Sequence, residues 1–196
     1  MKKLILSAAA IFAFGFANAQ DTEVTGAKGF ANGDVFMTGS VGFSTTKNGD
    51  NKQNSFEIAP SAGMFVTENI AIGARIGYAS FKSENAIGDT ADNSTLAFGV
   101  FGRYYMTPAS DFSLFAQLGV DFATVDDNLA DTTDKGFAIG FAPGVSYFVS
   151  EHFALEATYG ILNYTTYEQD GAADKTNSFN VGLDLSNINL GLVYKF

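Results

Sequence analysis

The sequence predicts an all-β protein, an eight-stranded antiparallel up-and-down transmembrane β-barrel. Three observations carry that expectation. Eight stretches alternate large apolar residues with small or polar ones, the two-residue period of a strand with two unlike faces. The connections between them alternate long and short. In the last stretch Ile188, Leu190, Leu192, Tyr194 and Phe196 alternate with Asn189, Gly191, Val193 and Lys195, and the chain stops on the phenylalanine. A final strand in an open sheet would leave an unpaired edge, and closing the sheet removes it.

The strands follow in order. Val35, Met37, Val41 and Phe43 form the apolar face of the first, before a polar loop at Lys47 to Asn54. The second carries Phe56, Ile58, Ala62 and Met64, with Pro60 marking a bulge or irregular pairing. After a tight turn at Thr67 to Asn69, the third sets Ile70, Ile72, Ala74, Ile76 and Tyr78 against Ala71, Gly73, Arg75 and Gly77. Ser83 to Asn93 reads as a loop. The fourth strand alternates Leu96, Phe98, Val100, Tyr104 and Met106 with Gly99, Phe101, Arg103 and Tyr105.

Thr107 to Asp111 is a short turn. The fifth strand gives Phe112, Leu114, Leu118, Val120 and Phe122 against Phe115, Gln117, Gly119 and Asp121. A loop at Asp126 to Lys135 precedes the sixth, with Phe137, Ile139, Phe141, Val145 and Tyr147 outward and a bulge expected at Pro143. Ser150 to His152 is the third tight turn. The seventh places Phe153, Leu155, Ala157, Tyr159 and Ile161 opposite Glu156 and Thr158, before a loop around Glu168 to Thr176. The eighth runs Phe179, Val181, Leu183 and Leu185 on odd positions and shifts to even ones at Ile188. Either one extra residue near Ser186 makes a bulge, or the membrane part begins at Ile188 while the earlier segment pairs with Ile161 to Tyr167 above the membrane.

Size decides which face is outside. An eight-stranded barrel has an interior just wide enough for side chains to fill, so dozens of large apolar residues would overfill it. The Gly, Ala and Ser of the other face suit a narrow lumen, and the apolar face meets lipid. Tyr78, Tyr104, Tyr147, Tyr159 and Tyr194 are candidates for interfacial girdles.

Residues 1–19 have the layout of a secretory signal peptide: Lys2 and Lys3, an apolar run from Leu4 to Phe16, and Ala17-Asn18-Ala19 as the cleavage site. Residues 20–34 read as a polar periplasmic lead-in and 35–196 as the barrel. The formal net charge is −10, and losing Lys2 and Lys3 makes it −12. With no basic patch, nucleic acid is not an expected partner. The chain has no cysteine, which excludes a lipid-modified cysteine anchor and disulfides. No cofactor or metal motif is present.

Met37 to Ser44 (MTGSVGFS), Phe65 to Gly73 (FVTENIAIG) and Leu190 to Phe196 (LGLVYKF) resemble the small outer-membrane β-barrel family, OmpX-like and similar to the membrane domain of OmpA. The resemblance implies a monomer in the Gram-negative outer membrane, with lipids and lipopolysaccharide around it. It also implies that Leu190, Leu192, Tyr194 and Phe196 form the signal read by the barrel-assembly machinery. No periplasmic domain follows the barrel, so no cell-wall tether is expected.

The chemistry expected of the barrel is modest. Glu57, Arg75, Arg103, Gln117, Asp121 and Glu156 fall on the lumen face, where charges must pair because burial of an isolated ion costs several kcal/mol. They predict a salt-bridge plug, with a small gated conductance or narrow transport path as the alternative. His152, the only histidine, lies in a turn at the periplasmic end and lacks a nucleophile in reach, so no enzyme is expected. Asp50, Glu84, Asp89, Asp92, Asp126, Asp127, Asp131, Asp134, Glu168, Asp170 and Asp174 crowd the outer loops. They read as a solvated rim open to an extracellular ligand, without the spacing of a Ca²⁺ loop. The expected role is structural, with surface display by the loops.

Overall fold

The computed structural model describes residues 28–182 and 188–196. The expected signal peptide and the phase change near Ser186 lie outside them. The strands are β1 (Val35–Asn48), β2 (Asn51–Phe65), β3 (Ile70–Glu84), β4 (Asp89–Tyr105), β5 (Phe112–Asp127), β6 (Thr132–Phe148), β7 (Phe153–Tyr159), β8 (Leu162–Glu168), β9 (Thr176–Val181) and β10 (Ile188–Lys195). Each of β1 to β6 pairs antiparallel with the next. β7 and β8 both pair with β6 and together make the seventh stave. β9 and β10 make the eighth, pairing with β8 and β7. Phe36 to Gly39 then pair with Leu192 to Lys195 and close an eight-stranded barrel.

The faces are those of an inside-out barrel. Phe43 (87% exposed), Leu190 (75%), Phe98, Leu118 and Leu155 point outward, whereas Phe36, Tyr105 and Val193 point inward and are fully buried. In lipid every backbone group must be satisfied internally, which a closed ladder achieves and an open sheet cannot.

Three loops expected from polarity are mostly strand. The ladders run past the apolar stretch to tips at residues 49–50, 85–88 and 128–131, and only the last, 169–175, has the expected loop length. Beyond the membrane both faces of a hairpin meet water. The hydrophobic alternation therefore vanishes while the hydrogen bonds continue. Strands of 14 to 17 residues result, longer than the ~9–11 that span a bilayer.

The two strand prolines differ. At Pro60 the rungs to β3 lapse between Ile58–Tyr78 and Ser61–Arg75 without a change of register, so the pairing is irregular but not bulged. Opposite Pro143, Phe141 pairs with Leu162 and Gly144 with Thr158, so three steps of β6 face four of the seventh stave. This is a β-bulge at Gly160-Ile161, beside a residue with no N–H to donate. It corrects the expected seventh strand: the outward set passes from Tyr159 to Leu162 and Tyr164, and Ile161 leaves it. In the eighth stave Thr176 to Val181 pairs with Leu162 to Tyr167.

At the end of the barrel with the tight turns, an aromatic floor fills the lumen. Phe36, Phe65, Tyr105 and Phe148 surround Phe30, whose ring lies 4.7 Å from that of Phe65 and 4.8 Å from that of Phe148. Phe30 comes from the lead-in, which is therefore part of the core at this end. Its N–H donates to the Pro108 carbonyl at 2.7 Å, and Gly33 N–H donates to Phe65 O at 2.9 Å. Gly29 takes φ +111° and lies so close to the Pro108–Ala109 backbone that a Cβ could not fit.

Candidate functional site: the lumen network

Strand register brings the lumen charges together in two groups. Arg103 on β4 sits directly opposite Gln117 on β5, and Glu156 lies across the lumen on β7. The Arg103 guanidinium donates both its terminal nitrogens to the Glu156 carboxylate at 2.8 Å and its Nε to Gln117 Oε1 at 2.7 Å. A further bond runs to the Tyr105 hydroxyl at 3.1 Å. Both ionic side chains are almost fully buried.

Three rings enclose the cation, with centroids 4.7 Å (Phe115), 4.9 Å (Phe101) and 5.6 Å (Phe36) from its central carbon. The rings fit because each lies over a glycine on the neighbouring strand. Phe36 covers its partner Gly63, Phe101 covers Gly73, and Phe115 covers Gly144; a Cβ at any of the three would collide with the ring. These three inward glycines make room for aromatics.

The second group is one Arg75–Asp121 pair. The Arg75 guanidinium grips both carboxylate oxygens of Asp121. Gly99 lies between them in the row, opposite Arg75 on one side and Asp121 on the other. A Cβ at Gly99 would strike Asp121, and one at Gly119 would strike Arg75. Water reaches this pair, whose side chains are about a third exposed. Glu57 joins neither group: it is exposed and lines a separate cavity nearer the hairpin tips.

A third polar link was not visible in the sequence. Lys195 reaches inward below the floor, donating to Gly29 O at 2.7 Å, with Asp34 3.8 Å away. Asp34 also accepts the Ala31 N–H at 2.8 Å. The penultimate residue of the chain is thus tied to the lead-in. The available signal was the placing of Lys195 on the lumen face with no acid of the strand network near it.

The other expected residues are placed as follows. Leu190, Leu192 and Tyr194 face outward, and the Phe196 ring packs edge-on against Tyr194 at 4.8 Å. Tyr104, Tyr147 and Tyr194 form a belt near the tight turns, beside Ile70, Phe112 and Phe153. Tyr78 lies in mid-strand. Among the described residues the buried Tyr159 hydroxyl has no hydrogen-bond partner, unlike the water-facing tip expected of a girdle residue. His152 is a turn residue: its Nδ1 is 2.9 Å from Lys195 O, and its ring stacks on Tyr194.

The acids near the tips serve the hairpins. Asp89 pairs with Lys82 at 2.9 Å and Glu168 with Lys175 at 3.0 Å. Asp127 accepts the N–H groups of Leu129 and Ala130, and Asp134 bonds to Tyr167 and Asp170. Among the described residues no three His, Cys, Asp or Glu side chains converge as metal ligands.

Comparison with known proteins agrees with this architecture. The chain is similar to the outer membrane protein OprG from Pseudomonas aeruginosa, at 16% identity over 87% of this chain and 99% of that one, with a TM-score of 0.53. Weaker likenesses, at a TM-score of 0.48, are to Neisserial surface protein A (18% identity, 83% and 97% covered) and to the N-terminal β-barrel domain of Pseudomonas aeruginosa OprF (12% identity, 85% and 100% covered). No curated protein matches the chain. The profile of the family described as "Outer membrane protein beta-barrel domain" matches residues 6–196, nearly the whole sequence. The protein belongs to that family and is an outer-membrane β-barrel.

Proposed function

We propose that this protein is a structural barrel of the outer membrane that holds four hairpins out from the cell surface and presents their tips, with the acids in and beside them, to extracellular molecules. The observation that carries the reading is the lumen, where the buried Arg103–Glu156 layer and the aromatic floor lie one above the other at the tight-turn end. The hairpins, by contrast, extend well beyond the length a membrane requires. Binding residues are commonly presented by connecting segments on a rigid scaffold.

In this reading the tight turns and the Tyr104–Tyr147–Tyr194 belt face the periplasm, as in barrels of this kind. The outward ladder of Leu190, Leu192, Tyr194 and Phe196 supplies the recognition strand for the assembly machinery. Lipid and lipopolysaccharide are the lateral partners, and the barrel acts as a monomer. A catalytic role gains no support, since the sole imidazole is bound to the closing strand.

A second reading, a narrow transport route, is favoured by the cavity above Arg103. Deleting the four tips (residues 49–50, 85–88, 128–131 and 169–175) from the gene separates the two. Complementation of a null strain is expected to fail with the tipless barrel and to survive in a folded Arg103→Ala barrel. The reverse pattern makes the lumen the working part and overturns surface display.

A further inference from the structure

Above the Arg103 layer the lumen opens into a chamber of about 850 Å³. Its lining includes Thr38, Ser40, Thr158, Asn163, Asn180 and Asn189. Strand register places these on the inward face, Asn163 directly opposite Asn180 and Thr158 opposite Asn189. Among the described residues none of these six side chains has a hydrogen-bond partner in the protein. Asn177, three residues from Asn180 on the outer face, is instead bonded to Tyr164 and Thr166. The wall's outward amide is engaged, whereas the inward ones are left open toward the chamber.

The charges of the chamber are already spent on each other. Arg75 pairs with Asp121 and Arg103 with Glu156, so each charged side chain at the chamber wall already holds a partner of opposite sign. What is left free are carboxamides and hydroxyls, each both donor and acceptor. That pattern complements vicinal hydroxyl groups, which also donate and accept. The volume is within the ~300–1,000 Å³ of small-molecule sites.

We propose that this blind chamber binds a small uncharged polyhydroxy molecule, a mono- or disaccharide, through Asn163, Asn180, Asn189 and Thr158. The inference goes beyond surface display and depends on the chamber alone.

The test uses the full mature barrel, isotope-labelled and folded in a detergent without a sugar headgroup. Glucose, maltose and sucrose are titrated at millimolar concentration while the side-chain amide signals of asparagine are followed. At least one sugar is expected to shift Asn163, Asn180 and Asn189 saturably and to leave Asn177 in place. Phosphate, spermidine and alanine are expected to shift none of them. Replacing Asn163 and Asn180 together by alanine should weaken the sugar by about tenfold, the effect of one to two lost neutral hydrogen bonds. Asn177→Ala should leave it unchanged. If the double variant does not show the heat-modifiable migration of a folded barrel, Asn189→Ala takes its place. Absence of saturable shifts with all three sugars, equal shifts at Asn177, or binding of an ionic or zwitterionic probe at the same signals overturns the proposal. The tips are intact throughout, so failure here leaves the display reading standing.

Discussion

Arg103→Ala is expected to destabilise the folded barrel by about 3–5 kcal/mol, the cost of leaving a buried partner charge uncompensated. Glu156 is almost fully buried and receives two bonds from Arg103. Without the guanidinium it is left as a buried, unpaired carboxylate. Replacing both members, Arg103→Met with Glu156→Leu, should recover most of the loss, because the desolvation cost disappears along with the attraction. Arg75→Ala should cost much less, since water reaches the Arg75–Asp121 pair and screens the change. Urea unfolding of the barrel in lipid vesicles measures all three. Equal losses at Arg103 and Arg75 would mean that the Arg103 layer is wet.

The second large effect is expected at Phe30. Removing a buried phenylalanine side chain costs about 3–5 kcal/mol, and Phe30 is 2% exposed among four other rings. Phe30→Ala should therefore lower the denaturant midpoint nearly as far as Arg103→Ala, although Phe30 lies outside every strand. Phe43→Ala, on an 87% exposed lipid-facing side chain, is the contrasting control and should shift it far less. A Phe30→Ala barrel as stable as the parent would show that the lead-in does not close the lumen.

Of the two charge groups, the sequence made one pair legible. A charge on the narrow face of a small barrel must find a partner, and counting residues from each turn sets Arg103 and Glu156 together low in the lumen, Arg75 with Gln117 in the middle, and Glu57 with Asp121 higher. The structure joins Arg103 to Glu156, but gives Gln117 to Arg103 and Asp121 to Arg75. Heights counted from separate turns ignore the tilt and stagger of the strands, which bring Gln117 to Arg103 and Asp121 to Arg75. Height also does not say how far water enters, which leaves Glu57 exposed outside both groups. Phe30 left no comparable mark. A single aromatic between Gly29 and Gly33 has no period, and its burial depends on where the Pro108 turn and the final strand arrive in space.

The hairpin extensions were hidden for a different reason. Alternation reports a difference between two environments, and from Lys47 to Asn54 both faces of the ladder meet water. Thr45 bonds to Asn54 across that hairpin, yet the stretch reads as polar loop. The bulge at Gly160-Ile161 was half legible. Pro143 pointed to an irregularity, but the extra residue sits on the strand opposite it.

Conductance across a planar bilayer tests most directly whether the barrel is sealed. The full mature protein, inserted from detergent and held at a fixed voltage, is expected to give no stable unitary steps. Water and ions would have to pass both the Arg103–Glu156 pair and the ring of Phe30, Phe36, Phe65, Tyr105 and Phe148. Large, stable, nanosiemens-scale steps from the unmodified protein would contradict a closed lumen and make this barrel a pore.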